Sequence, residues 1–233
     1  MKIDVLTLFP NMFSGPFSES VMKRAQAKQL FELNFINIRD FATDTHNTVD
    51  DTPYGGGPGM VMKVDIADNA LSKFNLPTGK LNNNKRRIIL MTPQGQPFTQ
   101  KKAREFSKLD HLIIICGHFE GYDERIRSLV DEEISVGDYV LTGGEIPAMA
   151  LIDATARLIP GVVGKEESIE QETFENNLLE YPQYTRPFEY KGKKVPEILT
   201  AGDHKKIAKW RLEQSILKTK EKRSDLYKKY LKN

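Results

Sequence analysis

Hydrophobic positions in the first half of the chain alternate between two periods. Residues 2–9 are rich in apolar side chains at strand spacing, and Pro10 ends the run. A mixed stretch through Gln29 carries its apolar residues at helical spacing, and residues 31–38 return to a strand pattern. Strand, helix and strand in that order open an α/β unit. Residues 87–91 and 111–116 are short apolar runs bounded by turns, the form of parallel strands buried on both faces. Between them, residues 98–109 predict a helix with Lys101, Lys102 and Arg104 outward.

The second half changes character twice. Residues 144–160 predict a helix with Ile146, Met149, Ala150, Ile152, Ala156 and Ile159, ended by Pro160-Gly161. That is more apolar surface than one sheet covers, so part of it is expected at a subunit interface. Residues 165–177 are polar and acidic with little periodicity, the composition of a linker. From Pro196 onward the spacing is helical again. Asp203 is the expected N-cap, with Ile207, Trp210 and Leu217 on one inward face and the lysines pointing out.

Composition narrows the class without naming a chemistry. A charged fraction of 28% and a hydrophobic fraction of 39% are those of a globular protein. No apolar run is long enough to span a bilayer and no signal-like segment begins the chain, so the expected location is cytoplasmic, without membrane contact. A lone cysteine, Cys116, excludes an internal disulfide framework, and four scattered histidines lack zinc-ligand spacing. Among Ile113, Ile114 and Ile115, Cys116 reads as a core residue, and His118 as a loop contact rather than a base. The net charge of +2 hides an asymmetry: residues 204–233 hold 11 Lys and Arg against 3 Asp and Glu, a balance of +8 that leaves −6 for the rest. The basic end is a candidate polyanion contact, or equally a solvated lysine-rich helix.

The chemistry concentrates in glycine-bearing turns. Residues 37–60 break into polar sequence with Gly55-Gly56-Gly57 and Pro58-Gly59, yet neither phosphate-loop nor dinucleotide spacing is present. Three further turns follow apolar strands: residues 92–95, residues 117–121, and the Gly137 and Gly143-Gly144 turns within residues 133–149. Ligands of open α/β sheets bind beyond the carboxyl ends of strands, so these turns could converge on one crevice. Glycine-lined turns suit adenine, ribose or phosphate equally well. Asp123 and Glu124 read as the acidic start of a helix, whereas Glu120 lies between turn residues Gly117 and Gly121.

Four stretches carry a resemblance. Val136-Gly137-Asp138-Tyr139-Val140-Leu141-Thr142-Gly143-Gly144-Glu145 resembles the signature of the bacterial tRNA (guanine-N1)-methyltransferases, the TrmD family of SPOUT trefoil-knot methyltransferases. Asp50-Asp51-Thr52-Pro53-Tyr54-Gly55-Gly56-Gly57-Pro58-Gly59-Met60, Gly117-His118-Phe119-Glu120-Gly121-Tyr122-Asp123-Glu124-Arg125 and Tyr181-Pro182-Gln183-Tyr184-Thr185-Arg186-Pro187 match the same family in family order. The resemblance covers nearly the whole chain.

The resemblance implies an α/β fold with a mostly parallel sheet and a deep trefoil knot over residues 1–163. A linker at 164–180 and a small basic helical tRNA-binding domain at 181–233 follow. It implies S-adenosyl-L-methionine as methyl donor, held by Thr92, Pro93, Gln94 and Gly95, by Gly117, Phe119 and Glu120, and by Val136, Gly137, Asp138, Tyr139, Val140 and Leu141 with Gly143, Gly144 and Pro147. Asp50, Tyr54, Gly55, Gly56, Gly57, Gly59, Met60 and Arg186 are expected toward the anticodon stem-loop of tRNA. Glu120 is expected near the sulfonium and Arg157 toward the guanine, where it would stabilise charge on O6. The family's base is a linker aspartate before Ser-Phe. This chain has Glu172-Thr173-Phe174 there, which makes Glu172 the candidate base and Glu170 its competitor. The resemblance further implies a homodimer whose linker and C-terminal domain close over the other subunit's site, and it allows Mg2+ in the reaction, although no carboxylate cage or fixed metal ligand is readable. Alternatives are a knotted RNA methyltransferase with another target base, a non-catalytic RNA-binding protein, and an α/β nucleotide-binding enzyme unrelated to RNA.

Overall fold

A computed structural model of the chain describes residues 1–74, 85–164 and 173–232. They fall into two compact units, Met1–Gly164 and Lys165–Asn233. In chain order the first contains β1 (Lys2–Thr7), α1 (Ser14–Phe17), α2 (Ser20–Ala27), β2 (Glu32–Asn37), β3 (Asp50–Asp51), β4 (Val61–Met62), α3 (Val64–Ser72), β5 (Arg86–Pro97), α4 (Gln100–Phe106), β6 (His111–Cys116), β7 (Glu132–Ser135) and α5 (Glu145–Ala156).

Five of these strands form one sheet in the order β2-β1-β6-β5-β7, and every pairing within it is parallel. Successive side chains of a strand point to opposite faces, and here both faces are covered. Leu112, Ile114 and Cys116 of β6 pack with Phe17, Met22, Phe106 and Leu151 from the helical layer of α1, α2, α4 and α5. Ile113 and Ile115 of the same strand pack with Ile66 and Leu71 of α3 and with Ile126. All five of these β6 side chains are fully buried, as the unbroken apolar run predicts. Burying each contributes about 1.5–3 kcal/mol relative to exposure, so β6 anchors the element from which the central turn departs.

Three expectations for this unit need correction. The strand read as residues 87–91 continues to Pro97 as β5, interrupted where Met91 and Gln96 both align with Ile134 of β7. The polar, glycine-rich stretch is a hairpin: β3 and β4 pair antiparallel with residues 52–60 between them. Lys102 does not point into solvent; its Nζ lies 2.8 Å from Glu132 of β7 and 3.0 Å from Glu105, while its stem covers Phe106. The two carboxylates outweigh partial burial and raise its pKa.

The second unit is not purely helical. An antiparallel pair, β8 (Glu189–Tyr190) and β9 (Lys193–Lys194), precedes α6 (His204–Lys222) and α7 (Ser224–Tyr230). Its turn places Lys191 and Gly192 at positive φ, 49° and 76°, as two-residue hairpin loops require. Asp203 caps α6 as expected, accepting from Lys206 N at 3.1 Å. The inward face differs. Leu217 is 59% exposed, and the buried positions are Ser215 and Thr219. Ten residues separate Leu217 from Ile207, about 80° short of three full turns, which carries it off that face. Thr219 accepts from Leu179 N at 2.8 Å, and Lys218 donates to the Glu180 carbonyl at 2.9 Å. Of the stretch read as linker, residues 173–180 therefore pack within this unit. Among the described residues no helix is long and apolar enough to cross a membrane.

Candidate active site

β5 lies between β6 and β7, so the carboxyl ends of the three strands stand side by side, and the chain leaves each through irregular backbone. They enclose one crevice of about 190 Å³. Thr92, Pro93 and Gln94 line it from β5, residues 117–122 from the segment after β6, residues 134–137 and 139–144 from the end of β7 and the segment after it, and Pro147 from the start of α5. The structure thus brings together the three turns that sequence alone could only suggest might meet.

Each wall has a local cause. The register shift in β5 extrudes Thr92 to Gly95 from the ladder, and Thr92 Oγ1 steadies the loop by accepting from Gln94 N at 3.3 Å. A Cβ at Gly95 would run into the Ile134 backbone, so only glycine lets this loop rest on β7. Gly95 supports the wall without lining it. Gly144 N donates to Gly117 O at 2.7 Å, and a Cβ at Gly144 would come within 2.8 Å of Cys116 Cα and Gly117 N. That close approach ties the third turn to the end of β6. Asp138 is exposed outside the lining.

The glycine-rich hairpin reaches the same place. Glu120 N donates to Met60 O at 3.1 Å and Met62 N to Gly121 O at 3.0 Å. Gly59, at φ +76°, leaves no room for a Cβ beside the Glu120 side chain. Gly59 and Met60 therefore abut the crevice wall at Glu120, whereas Tyr54 is fully exposed in the loop with Gly55, Gly56 and Gly57, all three at positive φ. Asp50 begins the hairpin in β3.

At and around the crevice, Tyr122, Glu133 and Glu145 were not singled out from sequence for the contacts they make. The Tyr122 hydroxyl meets Glu133 Oε2 at 3.1 Å and Thr92 Oγ1 at 3.3 Å; burial chiefly, with the Glu133 charge, raises its pKa. Arg127 pairs with both Glu133 (2.9 Å) and Glu124 (2.7 Å). Asp123 accepts three hydrogen bonds from Arg125, two from the guanidinium and one from the backbone N–H, and its pKa falls to about 2. Glu145 is 1% exposed and accepts from Thr7 Oγ1 at 2.8 Å, while His118 Nδ1 stands 3.7 Å from its other oxygen. Thr7 and Glu145 are 138 residues apart, so no local pattern announces the contact. Cys116 is buried and inert as expected, its thiol pKa pushed well up by burial.

Other expected site residues are not gathered here. Arg157 caps the C-terminal end of α5, about 18 Å along the helix from Glu145 at 1.5 Å per residue, so it does not join the crevice of its own chain. Arg186 belongs to the second unit. Glu172 and its competitor Glu170 lie outside the described residues. Among the described residues no group of three or more His, Cys, Asp or Glu side chains could hold a metal ion.

Residues 1–229 match the family model described as tRNA (Guanine-1)-methyltransferase TrmD. The chain is similar to curated proteins named tRNA (guanine-N(1)-)-methyltransferase. It is 56% identical over 229 residues to that of Carboxydothermus hydrogenoformans, covering 98% of this chain and 88% of the relative. It is 54% identical over 229 residues to that of Pelotomaculum thermopropionicum, covering 98% and 90%, and 54% over 231 residues to that of Staphylococcus aureus strain JH9, covering 99% and 92%.

Proposed function

The chain belongs to the tRNA (Guanine-1)-methyltransferase TrmD family, and from that membership we propose that it methylates N1 of the guanosine immediately 3′ of the anticodon in tRNA, in the cytoplasm, with S-adenosyl-L-methionine as donor. The observation that carries this reading is the convergence of three glycine-bearing segments on one crevice at the ends of β5, β6 and β7. The crevice fits such a donor: glycines let the third turn close onto the second, since a Cβ at Gly143 would strike the His118 and Glu145 side chains and one at Gly144 the Cys116 and Gly117 backbone, and Glu120 in the lining carries the charge a cation seeks. Of the expected contacts, Gly95 is assigned a supporting position, Asp138 lies outside the lining, and the rest are assigned the wall itself.

When bound, the donor supplies a methyl group activated on a sulfonium. The chain's residues do the rest. Neutral guanine carries a proton on N1, so a base is required, and we assign it to the Glu172 carboxylate. Arg157 offsets the negative charge that spreads to O6. Its distance from its own crevice, together with the exposed apolar side chains Tyr139 (56%) and Val140 (85%) of the third turn and Ile146 (50%) at the start of α5, supports a homodimer in which Arg157 serves the partner's crevice. The hairpin residues Tyr54 to Met60 and Arg186 are assigned to tRNA. Direct transfer needs no enzyme nucleophile, consistent with a buried, protonated Cys116. No step is assigned to Mg2+, for which the described residues form no cage. The knot of this family is part of the proposal. In its favour, the segment after edge strand β7 returns past the loop extruded from β5 to bond Gly117 at the end of β6.

Incubation with labelled S-adenosylmethionine and unmodified tRNA tests the reaction. Label should appear as 1-methylguanosine, and a tRNA with adenosine at the target position should take none; label in another nucleoside sinks the assignment.

The basic segment, by the same proposal, grips phosphate. Lys209 and Lys220 are exposed on one face of α6, whereas Lys218 is committed to Glu180. Lys209→Ala with Lys220→Ala should weaken tRNA binding and flatten its salt dependence by about one unit of slope for each phosphate no longer neutralised. Donor affinity should not move. An unaltered slope would leave these lysines as a solvated face.

A further inference from the structure

His118 stands where three elements meet, and its surroundings fix more than a packing role. Its ring lies 4.9 Å from Phe9 and 5.2 Å from Phe119, centroid to centroid, so neighbours hold its plane. Nδ1 is sealed from solvent and has no hydrogen-bond partner within range; what it faces, at 3.7 Å, is Oε2 of the buried Glu145. Gly143 closes the remaining side, since a Cβ there would strike both His118 Nδ1 and Glu145 Oε2. Yet the side chain is 25% exposed and lines the crevice. With the Nδ1 edge sealed, the exposed edge is the one bearing Nε2.

A neutral imidazole donates from one nitrogen and accepts at the other, and an ionised carboxylate can only accept. Beside Glu145, therefore, the favoured tautomer carries its proton on Nδ1. Nε2 is then left with a lone pair turned to the crevice. We propose that His118, held in the Nδ1–H tautomer by Glu145, is a specificity-determining residue that accepts a hydrogen bond at Nε2 from an N–H or O–H group of the methyl donor. Glu145 is the positioning residue behind it, itself pinned by Thr7 Oγ1 at 2.8 Å. This rests on the crevice being the methyl-donor site. The donor's adenosine and its amino-acid ammonium both carry such hydrogens, and the experiment distinguishes them.

Asparagine places an amide near the position of Nδ1 and glutamine near that of Nε2, so the two substitutions separate the roles. With S-adenosylmethionine as titrant in calorimetry, H118N should lose about three- to tenfold in affinity, the worth of one hydrogen bond, while H118Q stays near the parent. Methylthioadenosine, which lacks the amino-acid group, should show the same loss in H118N if adenosine supplies the hydrogen and none if the ammonium does. A second readout is independent of any ligand: 15N spectra of labelled histidine should show the neutral His118 ring protonated on Nδ1, with that preference weakened in Glu145→Gln. A parent that binds no S-adenosylmethionine removes the donor-site reading and the inference with it. A parent that binds, with H118N binding equally well or with the proton found on Nε2, leaves that reading intact and overturns the inference alone.

Discussion

Glu172→Gln is expected to slow single-turnover methyl transfer by about 10²–10⁴-fold, the usual contribution of a positioned base, while tRNA and donor still bind. N1 of neutral guanine holds a proton and has no free lone pair to attack with, so transfer waits on a proton acceptor. Glutamine keeps the shape of Glu172 and removes the acceptor's charge. Glu172→Asp should retain much more of the rate, since it keeps the carboxylate and shortens the reach by one methylene. The control is Glu170→Gln, two residues earlier in the same acidic run. A full rate in Glu172→Gln with a loss in Glu170→Gln would move the role to the neighbour. Full activity in both would mean that this stretch supplies no base.

Gly144→Ala is expected to remove measurable donor binding. The added methyl would lie 2.8 Å from Cys116 Cα and Gly117 N, and both are backbone atoms at the end of a fully buried strand, unable to yield as a flexible side-chain tip can. Either the 2.7 Å bond from Gly144 N to Gly117 O breaks or the turn after β6 shifts; each moves two walls of the crevice together. Overpacking of this kind costs about 1–3 kcal/mol of stability, which a protein of ordinary stability survives. Calorimetry on material with a cooperative thermal transition separates loss of the site from loss of the fold. Parent-like affinity in folded Gly144→Ala would mean that the second and third turns do not share a ligand.

How much of this could be read from the chain depended on the range of the interaction responsible. β6 was legible because five consecutive apolar residues between turns, Leu112 to Cys116, leave one interpretation, and Asp203 announced the start of α6 by its cap chemistry. The continuation of β5 was not legible. Pro93 and Gly95 read as strand breakers, and only pairing with Ile134 on both sides of the extruded loop shows that the strand resumes. Thr219 is buried on α6 where Leu217 was expected, because its hydroxyl satisfies Leu179 N and bonds back to Ser215 O, a role hydropathy cannot register. The crevice turns were visible as glycines after strands. The Glu145 and His118 pair behind them was not, since residues joined only through the tertiary fold, with Thr7 at the far end of the domain's sequence, leave no local pattern.

One crevice, built by the turns after β5, β6 and β7, is proposed to receive the methyl donor. Backbone amide chemical-shift mapping during titration with S-adenosylmethionine tests it without reliance on turnover. The largest perturbations are expected in Thr92 and Gln94, in residues 117–122 and in residues 134–144, with none at the groove formed by Met1, Gln29 and Leu33 beside the opposite ends of the strands. Perturbations centred on that groove, or on the second unit with the three turns silent, would contradict it.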